Sequence, residues 1–313
     1  MEKTSTFCGD VIIAGGGAAG ISAVIWCADL GLRPILVERS SEIGGQLPWI
    51  HNRIANYPGV SCENGRELRD LFNNSLSRVD FTFVNNAEVV EVDVAAKAVT
   101  LLDGRQITAD AMILATGIRR RTLGIGEEKF AGKGILESGV RDAKLAAGKR
   151  IAVIGGGDAA VENALLLSVY SEKVFLIHRR DELSARDEFT KLASVHPKIE
   201  MRKSAVVRAL QGNDQLNGIE VENIAAKTTE HLAVDFVLFR IGVTPNTEML
   251  RGQIELDDRG YIKVDSRCKT SMPGIYAAGD AANPMALTIA GAVGMGATAA
   301  KAVFSFCRDR KRI

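Results

Sequence analysis

Two glycine-rich segments are the residues of this chain best suited to chemistry: Gly15-Gly16-Gly17-Ala18-Ala19-Gly20 and Gly155-Gly156-Gly157-Asp158-Ala159-Ala160. Each directly follows an apolar run, Val11-Ile12-Ile13-Ala14 in the first case and Ile151-Ala152-Val153-Ile154 in the second. A parallel strand turning tightly into a helix leaves main-chain N–H groups and the positive helix end free to hold a diphosphate. Two such segments predict two dinucleotide sites. No nucleophile–base pairing stands out, so the chemistry they suggest is electron transfer between two bound cofactors.

The residue about twenty positions past such a fingerprint reads the adenosine ribose: a carboxylate accepts its hydroxyls, whereas cations accommodate a 2′-phosphate. Glu38 ends the second strand of the first unit, which predicts an unphosphorylated ribose, as in FAD or NAD. At the matching place in the second unit stand His178-Arg179-Arg180, with Arg186 just beyond. These predict a phosphorylated coenzyme, NADPH, since guanidinium forks match phosphate oxygens.

The elements that must position these groups are legible as βαβ units. Residues 21–30 have helical composition, Gly31 ends that helix, and Pro34-Ile35-Leu36-Val37 is the next strand. In the second unit, residues 161–168 form the helix and Val174-Phe175-Leu176-Ile177 the strand. Between the units, residues 88–94 and 98–102 with a turn at Asp103-Gly104 predict an antiparallel meander. Ala111-Met112-Ile113-Leu114-Ala115-Thr116-Gly117 reads as a short strand ending in glycine. Similar elements recur at Phe236–Gly242 and Gly274–Asp280, the last with a carboxylate placed to meet a nucleotide. We therefore expect the chain to return to its first domain. Residues 1–118 and 246–313 would form one domain and 119–245 an inserted second one, both α/β and Rossmann-like. Arg119-Arg120-Arg121 at the junction reads as a solvated linker face.

The bulk numbers exclude other classes. The 313-residue chain is 46% hydrophobic and 25% charged, with a net charge of +1, which gives no electrostatic case for nucleic acid or a membrane surface. Residues 1–4 lack the layout of a secretory signal, and a cytoplasmic protein is expected. The uncharged stretch 281–300 contains Asn283 and Pro284 and is rich in Ala and Gly, so a buried helix is expected rather than a membrane span. Cys8, Cys27, Cys62, Cys268 and Cys307 are dispersed, with no Cys-x-x-Cys, and His51, His178, His196 and His231 lack ligand spacing. Neither a disulfide framework nor a metal site is expected. Cys62, after a turn-rich segment, is the one thiol of interest.

In combination, these motifs carry a family resemblance. Gly44-Gly45-Gln46-Leu47, Asn56-Tyr57-Pro58-Gly59, Ala115-Thr116-Gly117 and Ala277-Ala278-Gly279-Asp280 resemble the FAD domain of bacterial thioredoxin reductases. Gly155 to Ala160, His178-Arg179-Arg180, Ile241-Gly242 and Pro245-Asn246 resemble their NADPH domain. The resemblance runs over essentially the whole chain, in order. It implies FAD held by Gly15, Gly17, Ala19, Gly20, Glu38, Arg39, Gly45, Gln46, Leu47, Asn56, Val89, Ala115, Thr116, Gly117, Gly279, Asp280, Thr288 and Ile289. For NADPH it implies Gly155, Gly157, Asp158, Ala159, Ile241 and Gly242 beside His178, Arg179, Arg180 and Arg186. A homodimer is implied too, with the smaller domain able to rotate.

One departure decides the functional expectation. Where the family carries Cys-x-x-Cys followed by Asp, this chain has Ser138, Arg141 and Asp142. A hydroxyl and a guanidinium cannot form a disulfide. Arg141 has two readings: a solvent-facing residue of a drifted loop, or a cation near the flavin that favours its anionic reduced form or holds an acidic substrate. Asp142 reads as a proton donor or acceptor, or as a helix cap. These three are the candidate catalytic residues. Leu287 and Thr288 stand where the family has Arg-Gln, and Ser184 replaces an arginine. The expected activity is an NAD(P)H-dependent FAD oxidoreductase passing electrons to a small-molecule acceptor, dioxygen or a small carrier protein. The alternatives are a ferredoxin or flavodoxin reductase, and a non-catalytic FAD-binding redox sensor or assembly partner.

Overall fold

The computed structural model describes residues 7–310, with side chains from residue 9 onward. The opening residues 1–4 and the side chain of Cys8 lie outside the described residues. The chain divides into two compact units, one built from residues up to Arg119 and from Thr244 onward, the other from Arg120–Val243. It leaves the first unit along Ile118–Arg120 and re-enters along Val243–Pro245, two short strands that pair with each other.

In the first unit, parallel strands Thr82–Val84, Pro34–Val37, Phe7–Ala14, Gln106–Leu114 and Ile275–Ala277 lie side by side in that order. The antiparallel strands Val89–Asp93 and Ala98–Leu101 extend the sheet from the amino-terminal half of Gln106–Leu114. The central strand Phe7–Ala14 is fully buried from Val11 to Ala14, as parallel strands covered on both faces must be. Helix α1 (Ala18–Asp29) begins immediately after the first glycine turn, and α2 (Gly65–Leu76) is capped by Asn64, whose side chain accepts from the N–H groups of Arg66 and Glu67.

The second unit repeats the theme. Strands Ile199–Arg202, Lys173–Ile177, Arg150–Ile154, Phe236–Phe239 and Ile135–Leu136 run parallel in that order. Helices α3 (Asp158–Ser168) and α4 (Asp187–Val195) cover one face, and the antiparallel strands Ala205–Gly212, Leu216–Asn223 and Thr228–Leu232 form a separate sheet.

The apolar stretch near the end folds differently from the expected 281–300 helix. Residues 281–288 are a 3-10 turn and a loop, and α5 spans Ile289–Arg310. Thr288 sets that start: its hydroxyl accepts from the N–H of Gly291 and its carbonyl from that of Ala292. By length and composition α5 could cross a membrane. Its small-residue face is instead buried against α1. A Cβ at Gly296 would lie 2.2 Å from the Ala19 carbonyl oxygen, and Ser22 donates to the Val293 carbonyl at 2.7 Å. Backbones approach this closely only where side chains are minimal, which accounts for the Ala/Gly composition.

Candidate active site

The first glycine turn is shaped by contacts far away in sequence. Gly15 has φ +110°, and a Cβ there would sit 2.3 Å from the Ala115 carbonyl oxygen. The strand end Ala115-Thr116-Gly117 is thus pressed against the fingerprint. Gly44 donates to the Gly16 carbonyl at 2.8 Å, which brings the loop carrying Gly45, Gln46 and Leu47 onto the same turn. Gln46 donates to the Ile118 carbonyl at 3.0 Å. Gly279 also arrives here, since a Cβ on it would be 2.8 Å from the Cβ of Ala19. Asp280 is therefore at the first fingerprint, as the return of the chain requires.

Three polar groups in this cradle have unmet capacity. Glu38 is buried, and its two carboxylate oxygens accept from the N–H groups of Gly16 (2.7 Å) and Ser40 (2.9 Å). Each oxygen retains a second lone pair for a hydroxyl donor. The Thr116 hydroxyl is buried without a hydrogen-bond partner. Burial pushes the Asp280 carboxyl above its ordinary value, with no opposing cation. Acceptors preorganised around a free helix N-terminus suit a ligand carrying ribose-type hydroxyls and a diphosphate. Leu47 and Ala115 are buried, Val89, Gly117 and Ile289 half-buried, and Arg39, Asn56 and Thr288 exposed. Thr288 spends its hydroxyl on capping α5.

The second turn matches the first. Gly155 has φ +148°, and its Cβ would meet the Arg240 carbonyl oxygen at 2.2 Å. A cavity of about 840 Å³ opens over this turn, lined by Gly155, Gly156, Gly157, Asp158, Ala159, His178, Arg179, Arg180, Ile241 and Gly242. His178 packs over Gly156 with its Nε2 buried and without a partner. Burial, then Arg180 and Arg179, hold its imidazole below the ordinary value despite a hydrogen bond to the Glu182 main chain, so it is neutral beside the two cations.

Arg186 departs from the expectation that it faces a phosphate. It does not line the cavity. Its guanidinium is engaged by Asp158 (3.0 Å), Glu162 (3.5 Å) and Glu188 (3.2 Å), and stacks over Phe189. Three carboxylates already satisfy that cation, which leaves Arg179 and Arg180 as the exposed pair. The Arg119-Arg120-Arg121 run is exposed, as a solvated linker face would be, but its side chains are tied. Arg119 pairs with Glu248 and donates to Asn246 Oδ1 at 2.9 Å, Arg120 donates to the Glu137 carbonyl, and Arg121 to the Val243 carbonyl at 2.8 Å.

The segment from Ser138 to Asp142 is a tied loop. Asp142 is 5% exposed. Its Oδ2 accepts from the N–H groups of Glu137 (2.8 Å) and Ser138 (3.0 Å), and Arg141 supplies Nε to Oδ1 at 2.6 Å and Nη2 to Oδ2 at 3.1 Å. Burial alone would raise this carboxyl; the Arg141 side chain and the two N–H donors outweigh it and hold the carboxyl below its ordinary value. Both expectations for Asp142 therefore change. It does not cap the following 3-10 turn with its side chain, and as a saturated carboxylate it is a poor proton donor at neutral pH. Arg141 is exposed but paired at all three nitrogens, because Glu137 takes the one that Asp142 leaves. Ser138 Oγ accepts from the Arg141 N–H at 3.3 Å.

The loop carries a testable sign. Arg141→Ala is expected to cost about 1–2 kcal/mol at pH 7, since a bond to a charged group contributes about 1.5–3 kcal/mol and a part-exposed guanidinium is screened. The native carboxyl lies below its unfolded value, so its stabilisation is present above that value and lost as pH falls through the native one. The variant's deficit should therefore be full at pH 7 and smaller at pH 3. Denaturant titrations at both pH values check this; an equal deficit at each would contradict it.

Among the described residues, no group of three or more His, Cys, Asp or Glu could hold a metal ion. Cys27, Cys62 and Cys268 are buried and outside any disulfide. Burial, with the Glu67 carboxylate, pushes the Cys62 thiol up; burial pushes Cys27 up to about 12 and Cys268 to about 11, with Cys307 and Asp265 adding respectively. None is a ready thiolate.

Residues 9–296 match the family model described as pyridine nucleotide-disulphide oxidoreductase. The chain belongs to the pyridine nucleotide-disulphide oxidoreductase family. It is 34% identical over 304 residues to a thioredoxin reductase of Coxiella burnetii, covering 93% of each chain. A Streptomyces coelicolor thioredoxin reductase is 33% identical over 296 residues, covering 93% of this chain and 91% of its own. Among solved structures, Lactococcus lactis thioredoxin reductase superposes with a TM-score of 0.82 at 30% identity, covering 96% of this chain and 99% of that one. The T. acidophilum enzyme gives 0.78 at 30% identity, with 95% and 98% covered. This family member is thus an enzyme of thioredoxin-reductase type with two Rossmann-like domains, and FAD and NADPH are the cofactors of that type.

Sequence reasoning missed Arg120 and Arg240, both of which line the cavity of the second unit. Arg240 directly precedes Ile241-Gly242, and its place at a strand end beside Gly155 was the available signal.

Proposed function

We propose that this family member is an NADPH-dependent FAD oxidoreductase that works without an internal dithiol and delivers electrons directly to a small-molecule acceptor or dioxygen. What supports this reading is the loop at Ser138–Asp142, where a hydroxyl and an ion-paired guanidinium occupy the positions read as the family's two cysteines, in a sequence that has no Cys-x-x-Cys. When bound, FAD and NADPH supply the hydride chemistry. The chain's own contribution is positional. Glu38, Thr116 and Asp280 would accept from the flavin nucleotide's hydroxyls, with the α1 N-terminus at its diphosphate. The α3 N-terminus, Arg179 and Arg180 would hold the reduced coenzyme, with neutral His178 packed beneath. Asp142 anchors its loop and leaves proton transfer to other groups. Like its relatives, the chain is proposed to act as a homodimer.

The test is anaerobic mixing of the FAD-loaded protein with NADPH. The expected result is loss of the flavin absorbance, followed by reoxidation with dioxygen or a quinone and no reduction of a thioredoxin-type protein disulfide. Cys62→Ser should leave turnover within about twofold of wild type, because that thiol is enclosed by Leu47, Ile54 and Leu68. A flavin that NADPH leaves oxidised would favour the redox-sensor reading. Turnover that depends on a protein disulfide, or that collapses in Cys62→Ser, would overturn the absence of a relay.

A further inference from the structure

The cavity over the second glycine turn holds more cationic side chains than a ribose phosphate needs. Parallel strands place four chain segments along one edge of the sheet, in the order of their strands. His178-Arg179-Arg180 follows Lys173–Ile177, Gly155 follows Arg150–Ile154, Arg240 follows Phe236–Phe239, and Glu137 follows Ile135–Leu136. Arg179 and Arg180 thus flank the glycine turn on one side and Arg240 flanks it on the other. Arg120 joins Arg240, because both guanidiniums donate to the same Glu137 carbonyl oxygen, Arg240 at 3.2 Å. Arg240 also donates to the Phe239 carbonyl at 2.9 Å.

Neither guanidinium meets a carboxylate in these hydrogen bonds, which go to main-chain oxygens; the Glu137 and Asp142 carboxylates act on Arg120, and that of Asp142 on Arg240, only at longer range. Burial, followed by the neighbouring Arg120, brings Arg240 down to about 10, with Asp142 opposing. A pair of like charges, one of them largely withdrawn from water and both facing a cavity, is costly unless an anion completes it. A dinucleotide whose 2′-phosphate lies at Arg179 and Arg180, and whose diphosphate lies at the α3 N-terminus, must extend its other half toward the opposite strand end.

We propose that Arg120 and Arg240 form a second oxyanion clamp, which binds the phosphate on the nicotinamide side of the coenzyme. This rests on the second unit being the NADPH site. The clamp places two forks opposite the adenosine-side pair, so the coenzyme is gripped at its 2′-phosphate and at the nicotinamide-side half of its diphosphate. Its role is binding and positioning, with no part in proton or hydride movement.

The test is calorimetric titration of the FAD-loaded protein with NADP+ and with 2′,5′-ADP, which lacks the nicotinamide half. Arg240→Gln is expected to weaken NADP+ about tenfold and leave 2′,5′-ADP within twofold, and Arg240→Lys should recover most of the loss. Arg120→Gln, a change at an exposed residue with little folding risk, should show the same selectivity. Arg180→Gln is the contrast, weakening both ligands. Equal weakening of both ligands by Arg240→Gln, or no change in either, would overturn the clamp. A rise in acceptor KM with NADP+ binding intact would overturn it too, and would give the pair to an acidic acceptor instead. Wild-type protein that binds neither ligand would refute the coenzyme site itself, a failure separate from the selective outcomes.

Discussion

Gly15→Ala protein is expected to purify colourless, with less than about one tenth of the flavin per chain found in wild type. Gly15 sits at φ +110°, a region side chains rarely occupy, and its new methyl would overlap the Ala115 carbonyl at 2.3 Å. Backbone strain of this kind costs on the order of 1–3 kcal/mol, and the overlap adds to it. The relief available is displacement of Ala115-Thr116-Gly117 or of the turn itself. Either movement breaks the alignment of the α1 N-terminus with Thr116 and Asp280. The second unit has its own core and glycine turn, so retention on 2′,5′-ADP resin shows whether the protein is folded. Flavin content is read from the absorbance of heat-released FAD. A yellow variant with near-stoichiometric flavin would show that the turn does not govern binding.

The second large effect concerns coenzyme choice. Arg179→Gln/Arg180→Gln is expected to lower kcat/KM for NADPH by two to three orders of magnitude and to change that for NADH by less than about threefold. Charge-assisted bonds contribute about 1.5–3 kcal/mol each, and the paired arginines are the exposed cations at the end of Lys173–Ile177. NADH lacks the 2′-phosphate and so loses nothing with them. Arg186 does not compensate, because Asp158, Glu162 and Glu188 already claim it. Steady-state rates with both coenzymes decide the matter; parallel losses for NADPH and NADH would mean that these arginines hold the diphosphate or the fold rather than the 2′-phosphate.

Much of the architecture was readable because its signals are local. The apolar runs before Gly15 and Gly155, and the strand at Pro34–Val37 with Glu38 at its end, depend only on neighbouring residue types. So did the meander through Val89–Asp93 and Ala98–Leu101 with its Asp103-Gly104 turn. Helix bounds were less legible. The 281–300 stretch is uniform in composition, and the start of α5 turns on one hydroxyl, that of Thr288, closing on Gly291.

Charged side chains were the least legible part of the site. An arginine in a sequence is a cation whose partner is undecided; long side chains let Arg141 reach Glu137 as readily as solvent, and Arg186 reach three carboxylates. Arg119, four residues before Leu123, pairs with Glu248 from the returning segment. No spacing rule connects those positions.

By itself, the order of residues in this chain specified two strand–glycine–helix turns, a carboxylate after the first and paired arginines after the second, and a sequence with no Cys-x-x-Cys. Those are properties of residue type at short separation, where backbone geometry leaves little choice. Tertiary packing decided which cations remain available for an anion. It neutralised Arg141 and Arg186 with carboxylates, and it left Arg120 and Arg240 sharing one carbonyl beside a cavity. The physical reason is that a charge is defined by what surrounds it, and those surroundings are assembled from strands that are neighbours only after folding.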